Sequence, residues 1–219
     1  MSQKRIGTER HVEVPIGDLR FPGTLGAPPG ARGLVLFAHG SGSSRLSPRN
    51  VFVARGLHEA GLATLLFDLL TEREDRVYET RFDITLLTER MIGAAEWALA
   101  DPSTRELRLG FFGASTGAAA ALRAAAKLGP DVFAVVSRGG RPDLTGSVIT
   151  DVRSPTLLIV GERDTTVLGL NRRAYAQLRV VDKELAVVPG ATHLFEEPGA
   201  LEEVNRLAAE WFVRHLGSS

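Results

Sequence analysis

A serine flanked by glycines, Ser115 in the segment GASTG at 113–117, is the residue of this sequence best suited to nucleophilic chemistry. The segment follows the apolar run LRLGFF and precedes an alanine-rich stretch, which predicts a turn from a strand into a helix. In that setting the pattern G-x-S-x-G indicates a nucleophile elbow, because only small residues beside the serine let the chain reverse so sharply. Ser115 is therefore predicted at a helix N-terminus, where amides stabilise negative charge.

The same glycines permit a second interpretation, a dinucleotide-binding loop. Gly110, Gly113 and Gly117 follow a strand, but their spacing is G-x-x-G-x-x-x-G rather than G-x-G-x-x-G. The strand is also internal to the alternating pattern rather than the first of a βαβ unit. A nucleotide-dependent enzyme and a merely tight turn stay open on this segment alone, so residues elsewhere must separate the alternatives.

A serine hydroxyl needs a base that accepts its proton and a carboxylate that orients the base. His193, in VPGATHLFEEPG, falls in the predicted loop between the last strand and the last helix. Asp164 follows Val160, the end of another predicted strand. The order Ser115, Asp164, His193 is the order of nucleophile, acid and base that accompanies the elbow. These residues are predicted to form a catalytic triad at one edge of a sheet.

The remaining histidines and carboxylates are given other roles. His39 and Gly40 are expected to shape the loop HGSGSS that follows a strand. Asp68 is the second choice for the acid, although capping a helix or bonding a loop suits it better, and Glu162 is expected to point away from the site. Three histidines are expected at the surface, the second of them on the solvent side of a helix: His11, His58 and His215.

Two backbone amides are predicted to stabilise the oxyanion that forms during acyl transfer. One is the amide of Thr116, directly after the nucleophile. The other comes from the loop HGSGSS, with Ser41 the first choice and Gly42 the second. A flexible Gly-Ser turn, the ordinary interpretation of this loop, is compatible with that role because small residues let the backbone approach a substrate.

Arginines also fall in loops at the predicted active edge: Arg45, Arg138 and Arg141. They suggest the hypothesis that the substrate carries a carboxylate or a phosphate. The ordinary role of loop arginines is solvation, so this alternative stays open.

The elements that must position these residues alternate along the chain. RHVEVPIGDLRFPGTLGAP predicts an antiparallel hairpin around Gly17-Asp18. Short apolar runs then predict strands covered on both faces: GLVLFAHG, LATLLFD, LRLGFFG, VFAVVS, PTLLIVG and KELAVVPG. Helical spacing between them predicts right-handed crossovers, hence a mostly parallel α/β sheet with helices on both faces. Active sites of such sheets lie at the carboxyl ends of the strands.

Capping residues mark several of the predicted helices. Ser47-Pro48 opens the first helix and Gly61 ends it, whereas Asp83 opens a second that ends at Asp101-Pro102. A third helix contains seven alanines in the nine residues 118–126, so it can approach the sheet closely. Two more helices are predicted over 170–178 and 201–216.

The composition limits the classes of protein to which the chain can belong. Of 219 residues, 44% are hydrophobic and 24% charged, with a formal net charge of zero. These proportions are typical of a soluble globular domain, and the balanced charge gives no reason to expect nucleic acid or a membrane as partner. Without cysteine, the chain cannot form disulfides, a thiolate nucleophile or a Cys-ligated zinc site. Neither a metal nor a cofactor is predicted.

The chain also lacks a stretch that looks like an interdomain linker, so one domain over 1–219 is expected. Its charged start, MSQKRIGTER, has no apolar region behind it and does not resemble a secretory signal. A cytoplasmic location is therefore the expectation.

The loop HGSGSS, the elbow GASTG and the segments GERD and GATHLF together resemble the α/β-hydrolase superfamily, and within it the small dienelactone hydrolase-like esterases. The resemblance covers nearly the whole sequence and implies an eight-stranded sheet with an antiparallel second strand and a triad of Ser115, Asp164 and His193. Dienelactone hydrolases proper use a cysteine nucleophile. Serine at the matching position implies a carboxylic-ester or thioester hydrolase instead. The 18 residues between Ser137 and Thr156 are too few for a cap domain.

The predicted function is a serine hydrolase that acts on a small-molecule ester or thioester through an acyl-enzyme on Ser115. Its activity should fall in acid around pH ~6 to 7, where an ordinary histidine becomes protonated. The alternative is a non-catalytic protein that binds small molecules on the same scaffold. The natural substrate and the oligomeric state do not follow from the sequence.

Overall fold

A computed structural model describes residues 8–217 of the chain. Residues 1–7, on which the expectation about a secretory signal depends, lie outside the described residues. The chain opens with the predicted hairpin, in which β1 (Thr8–Ile16) pairs antiparallel with β2 (Leu19–Ala27). Gly17 forms the turn with a φ of 59°, a conformation that favours glycine.

The apolar runs form the other strands of one eight-stranded sheet in the order β1-β2-β4-β3-β5-β6-β7-β8. Strand β2 is antiparallel to both of its neighbours, β1 and β4, and the other paired strands of the sheet are parallel. The implied antiparallel second strand is therefore confirmed. Strands β3 to β7 are buried almost throughout, because helices cover both faces of the sheet. The strands after the hairpin are β3 (Gly33–Ala38), β4 (Ala63–Phe67), β5 (Arg108–Ala114), β6 (Val132–Arg138), β7 (Thr156–Gly161) and β8 (Lys183–Val188).

The helices are α1 (Pro48–Glu59), α2 (Glu72–Asp75), α3 (Ile84–Ala100), α4 (Thr116–Leu128), α5 (Thr165–Gln177) and α6 (Ala200–Leu216). The predicted caps are confirmed, since the side chains of Ser47 and Asp83 accept hydrogen bonds from the first turns of α1 and α3. The prediction for α5 began five residues late, at Leu170 instead of Thr165, because Gly169 interrupts the apolar pattern that Val167 and Leu168 begin. The short α2 was not predicted.

The helices form two layers. Helices α3, α4 and α5 cover one face of the sheet, and α1 and α6 cover the other. The alanines of α4 from Ala118 to Ala121 have no exposed surface, which agrees with the predicted close approach of this helix to the sheet. Between β6 and β7 the chain forms a short 3₁₀ segment, Pro142–Asp151, instead of a cap domain.

The prediction for one of the three surface histidines was wrong. His58 is buried at 8% exposure, and its Nε2 lies 2.7 Å from Thr64 Oγ1 on β4. Room for the ring comes from Gly26, where a Cβ atom would lie 2.3 Å from His58 Cε1. Burial lowers the pKa of His58. His11 is exposed as expected, and His215 is half-buried against Trp211.

Candidate active site

The turn between β5 and α4 has the geometry of the predicted elbow. Ser115 has φ 51° and ψ −121°, a strained conformation for a residue with a side chain. A Cβ atom on Gly113 would lie 2.4 Å from the Cα of Ala118, and one on Gly117 would lie 2.3 Å from the carbonyl oxygen of Ala38. Both glycines are therefore required by backbone packing, and a dinucleotide loop is not needed to explain them.

The predicted base and acid are hydrogen-bonded to each other. His193 Nδ1 lies 2.6 Å from Asp164 Oδ2. The side chain of Asp164 is 14% exposed and that of His193 is 40% exposed, so the acid is shielded while the imidazole opens to solvent. Their loops meet because Gly161, at the end of β7, packs against the backbone of Ala191. This arrangement fixes the ring and leaves Nε2 as the nitrogen available to a substrate.

Ser115 and His193 both border the segment that follows β6. The amide of Ser115 donates to the carbonyl of Arg138 at 3.2 Å, and the amide of Arg141 donates to the carbonyl of Ser115 at 3.0 Å. A Cβ atom on Gly139 would lie 3.4 Å from His193 Cε1. Within residues 8–217, no hydrogen bond joins Ser115 Oγ to His193, so the bonded pair is the base and the acid.

Two residues that position this region were missed by the sequence analysis. Asn171 is fully buried in α5, and its Nδ2 donates to the carbonyl of Gly140 at 2.9 Å. Phe195 is 1% exposed and has a φ of 55°, so a buried ring anchors the histidine loop in a backbone conformation unusual for phenylalanine. Asn171 could have been found from the sequence, since it is a polar residue on the apolar face of a predicted helix. No feature of the sequence around Phe195 indicates its role.

Of the two predicted oxyanion donors, the amides of Ser41 and Thr116, the first already donates a hydrogen bond within the protein. The amide of Ser41 donates to Thr116 Oγ1 at 2.9 Å. The amide of Thr116, at the start of α4, makes no hydrogen bond to another described residue. Gly42 has a φ of 68° and helps the loop to turn next to Ser41. The Thr116 hydroxyl thus occupies the Ser41 donor.

His39 ties this loop to the neighbouring strand. Its Nε2 accepts from the amide of Leu69 at 3.0 Å, and its Nδ1 lies 3.0 Å from the carbonyl of Gly40. These partners fit a neutral ring with its proton on Nδ1. Burial lowers the pKa of His39, which keeps the ring neutral.

The three arginines on which the hypothesis of an anionic substrate rests differ in their surroundings. Arg45 Nη1 lies 2.7 Å from Asp68 Oδ2, so the arginine is paired and the expected loop-bonding role of Asp68 is confirmed. Arg141 pairs with Asp143 at 2.8 Å. Arg138 is not a loop residue: it ends β6 and is buried at 8% exposure.

Two further observations concern the surroundings of the site. Glu162 Oε2 accepts from the amide of Gly190 at 2.8 Å, an interaction with the turn after β8 rather than with His193. The part of the chain that the structure describes contains no group of three or more His, Asp or Glu side chains that could hold a metal ion. It also contains no helix long and apolar enough to cross a membrane.

The sheet order and the elbow after β5 define an α/β-hydrolase fold. A sequence model of the dienelactone hydrolase family matches residues 46–216, more than half of the chain. The crystal structure of a dienelactone hydrolase from Anabaena variabilis has a TM-score of 0.94 and 52% identity, and the match covers 96% of this chain and 99% of that one. The chain belongs to the dienelactone hydrolase family.

More distant structures share the fold. The esterase Pf2001 of Pyrococcus furiosus has a TM-score of 0.78 at 20% identity, and the match covers 96% of this chain and 94% of that one.

Two curated relatives, from two strains of Mycobacterium tuberculosis, are named "Putative phosphoribosyl transferase" and are 55% identical over 208 residues. The match covers 95% of this chain and 47% of each relative, so the chain spans about half the length of these relatives.

Proposed function

We propose that the protein is a serine hydrolase that cleaves carboxylic esters or thioesters through an acyl-enzyme on Ser115. One observation carries the proposal. A strained serine at a helix N-terminus shares one edge of the sheet with a histidine whose Nδ1 lies 2.6 Å from Asp164. A nucleophile, a base and an orienting acid are the groups that acyl transfer requires.

The first half of the reaction acylates the serine. His193 Nε2 accepts the Ser115 proton as Oγ attacks the substrate carbonyl, and the carbonyl oxygen becomes an oxyanion. Collapse of this intermediate breaks the C–O or C–S bond, and the leaving group takes the proton from His193. Water then attacks the acyl-enzyme by the same route and releases the acid and free Ser115. This sequence of steps requires no metal ion or organic cofactor.

Substrate binding must complete two contacts of the site. Ser115 Oγ must come within hydrogen-bonding reach of His193, and contacts of this kind commonly tighten only when the substrate is bound. The amide of Ser41 must also exchange Thr116 Oγ1 for the substrate oxygen, which would then lie between the amides of Ser41 and Thr116. Rotation of the Thr116 side chain would release the Ser41 donor without movement of the backbone.

The open site suits a small substrate that binds from solvent. The side chain of His193 is 40% exposed, and the segment between β6 and β7 is a short 3₁₀ turn. The same proposal includes a small-molecule ester or thioester as partner, without nucleic acid or membrane, and a cytoplasmic location. The part that concerns partners rests on the zero net charge of the chain.

The phosphoribosyl transferase name belongs to relatives of which this chain spans 47%. The hydrolase proposal instead rests on residues of this chain. The non-catalytic binding protein remains the competing proposal, and a covalent probe separates the two.

A fluorophosphonate probe tests the proposal directly. We expect the wild-type protein to be labelled at Ser115 and the variant Ser115→Ala to lose the label together with ester hydrolysis. The exposed Ser147 provides a matched control, so Ser147→Ala should label like the wild type. The non-catalytic alternative would be favoured if the folded wild-type protein is not labelled and also does not cleave a panel of acyl nitrophenyl esters and thioesters.

A further inference from the structure

We propose that Asn171 is a positioning residue of the candidate site. Through a hydrogen bond to residues 138–141, here called the shared segment, it holds the backbone that contacts both Ser115 and His193. The proposal rests on the proposed hydrolase function and adds the element that sets the distance between the nucleophile and the base. It is carried by the burial of Asn171, by the two bonds of its amide group and by the contacts of the shared segment.

Asn171 is a polar side chain enclosed by protein. It lies in α5 and has no exposed surface. Its Nδ2 donates to the carbonyl oxygen of Gly140 at 2.9 Å and to that of Val167 at 2.8 Å, so both amide hydrogens are used. Its Oδ1 is buried without a hydrogen-bond partner among the described residues, which is costly to the folded protein. Stability alone therefore does not account for an asparagine at this position, whereas the contacts of Gly140 do.

The shared segment contacts both the proposed nucleophile and the proposed base. The carbonyl of Arg138 accepts from the amide of Ser115 at 3.2 Å, and the amide of Arg141 donates to the carbonyl of Ser115 at 3.0 Å. Between them, Gly139 lies so close to His193 that a Cβ atom there would be 3.4 Å from its Nδ1. A displacement of the shared segment therefore moves Ser115 and His193 relative to each other.

The middle of the shared segment depends on Asn171 for a hydrogen bond. Gly140 is buried, and a Cβ atom there would lie 2.7 Å from the Cβ of Ala118 in α4. Its carbonyl accepts from no backbone amide within residues 8–217, whereas the amide of the preceding Gly139 donates to the carbonyl of Ile159 at 2.8 Å. Without the Asn171 amide, a buried carbonyl would be left unpaired, and such a group is costly enough to shift the backbone that carries it.

The helix that carries Asn171 also begins at the proposed acid. Asp164 is the N-cap residue of α5, but its side chain makes no capping hydrogen bond, and its Oδ2 is bonded to His193. Its carbonyl accepts from the amide of Leu168 at 2.8 Å, which joins Asp164 to the first turn of the helix. Asn171 follows Asp164 by seven residues, about two turns, so the two residues lie on the same face of α5. One helix thus holds the acid at its start and the shared segment two turns further on.

Amide hydrogen exchange, followed by NMR, tests the positioning role without catalysis. In Asn171→Leu the carbonyl of Gly140 loses its donor, so the shared segment should shift. We expect the amides of Ser115 and Arg141 to exchange about tenfold faster or more than in the wild type, since their bonds join the elbow to this segment. The matched control is Ala174→Gly, which weakens α5 through helix propensity but keeps the bond to Gly140, and both amides should exchange more slowly there than in Asn171→Leu.

Kinetics test whether this position matters for the proposed reaction. In Asn171→Leu we expect kcat for a nitrophenyl ester, and the rate constant for labelling of Ser115 by a fluorophosphonate, to fall by about tenfold or more, because a small misplacement of reacting groups slows the reaction strongly. KM should change by less than about threefold, since Asn171 has no exposed surface that a substrate could contact. Ala174→Gly should keep kcat, KM and labelling near the wild-type values.

The outcomes separate this proposal from the proposed function. If no ester is cleaved but the Ser115 and Arg141 amides exchange faster in Asn171→Leu than in Ala174→Gly, the hydrolase function fails and the positioning role stands. Equal exchange in the two variants overturns the positioning role, whether or not esters are cleaved. A wild-type kcat in Asn171→Leu overturns it as well. If Asn171→Leu does not fold, Asn171→Ala takes its place under the same criteria, because alanine favours a helix and its methyl group does not reach Gly140.

Discussion

The elbow at 113–117 and the histidine loop at 189–199 are held in different ways. Backbone contacts fix the elbow, because Gly113 and Gly117 lie where no Cβ atom fits. Side chains fix the histidine loop, chiefly the buried ring of Phe195 and the hydrogen bond between His193 and Asp164. The elbow is enclosed by the sheet and α4, whereas the side chain of His193 is 40% exposed.

This difference matches what each part must do. The elbow must keep Ser115 in a strained conformation that costs about 1–3 kcal/mol, so its neighbours leave it no alternative. In the proposed reaction the histidine exchanges a proton first with Ser115 and then with the leaving group, and a loop anchored at one ring allows that adjustment. Changes in the elbow should therefore abolish activity, while changes in the histidine loop should reduce the turnover rate and leave Ser115 able to react.

The largest effect is expected at Gly117. In Gly117→Ala the new Cβ atom would lie 2.3 Å from the Ala38 carbonyl oxygen, so the strand β3 and the helix α4 must separate. We expect the free energy of unfolding to fall by about 3 kcal/mol or more, with loss of ester hydrolysis. Chemical denaturation and an esterase assay measure both quantities.

Gly169 in α5 provides the matched control for this substitution. A Cβ atom there meets only the end of Arg173, at 3.9 Å. Gly169→Ala should leave activity unchanged and stabilise the protein by up to about 1 kcal/mol through helix propensity. A fully active and stable Gly117→Ala protein would show that the elbow is not fixed by its backbone.

An intermediate effect on activity is expected at Phe195, although the loss of stability should be of the same order as at Gly117. Phe195→Ala removes a ring that is 1% exposed, which should lower the free energy of unfolding by about 3–5 kcal/mol. Displacement of His193 should reduce kcat by about 10- to 100-fold, whereas labelling of Ser115 by a fluorophosphonate should slow but persist. The neighbouring Leu194 is 41% exposed, so Leu194→Ala serves as the control and should change neither quantity much. Normal kcat in Phe195→Ala would place the anchor of the loop elsewhere.

The smallest effect concerns His39 and the dependence of stability on pH. Because burial lowers the pKa of His39, the unfolded chain takes up a proton at a higher pH than the folded protein does. Stability from this group is present above the ordinary value of about 6.5 and is lost as the pH falls below it toward the folded-state pKa. His58 and His215 contribute in the same direction, since burial lowers the pKa of each.

The variant His39→Gln removes one of these three contributions. We expect its free energy of unfolding, measured by denaturant titration between pH 5 and 8, to decline less steeply toward acid than that of the wild type. At pH 8 the variant should be the less stable protein, since the hydrogen bond from the amide of Leu69 to His39 Nε2 is altered. An identical acid slope in the two proteins would show that folding does not lower the pKa of this ring.

The alternating pattern of the chain was enough to predict the sheet, its carboxyl edge and most helices. The short α2 was not predicted because its polar residues carry no period of their own. The start of α5 was missed because Gly169 interrupts its apolar pattern. His58 was misplaced for another reason. Its burial depends on Gly26, a residue distant in the sequence whose missing side chain makes room for the ring.

The residues of the candidate site were also predictable only in part from the sequence. Ser115, Asp164 and His193 were found from local motifs at predicted strand ends, which meet at one edge in any sheet of this class. The roles of the arginines could not be separated in that way, because Arg45, Arg138 and Arg141 all follow or end predicted strands. Only the partners Asp68 and Asp143, supplied by the folded chain, distinguish the paired arginines from the unpaired one.

The sequence by itself determined the order of strands and helices, the elbow and the residue types that could perform acyl transfer, since these depend on local periodicity, capping and turn chemistry. Tertiary structure alone decided which polar groups found partners: the bond between Asp164 and His193, the engagement of Ser41 by Thr116, and the isolation of Arg138. The physical reason is that a hydrogen bond or an ion pair depends on distances of a few ångströms between atoms far apart in the chain. Those distances exist only after the sheet and its two layers of helices have packed.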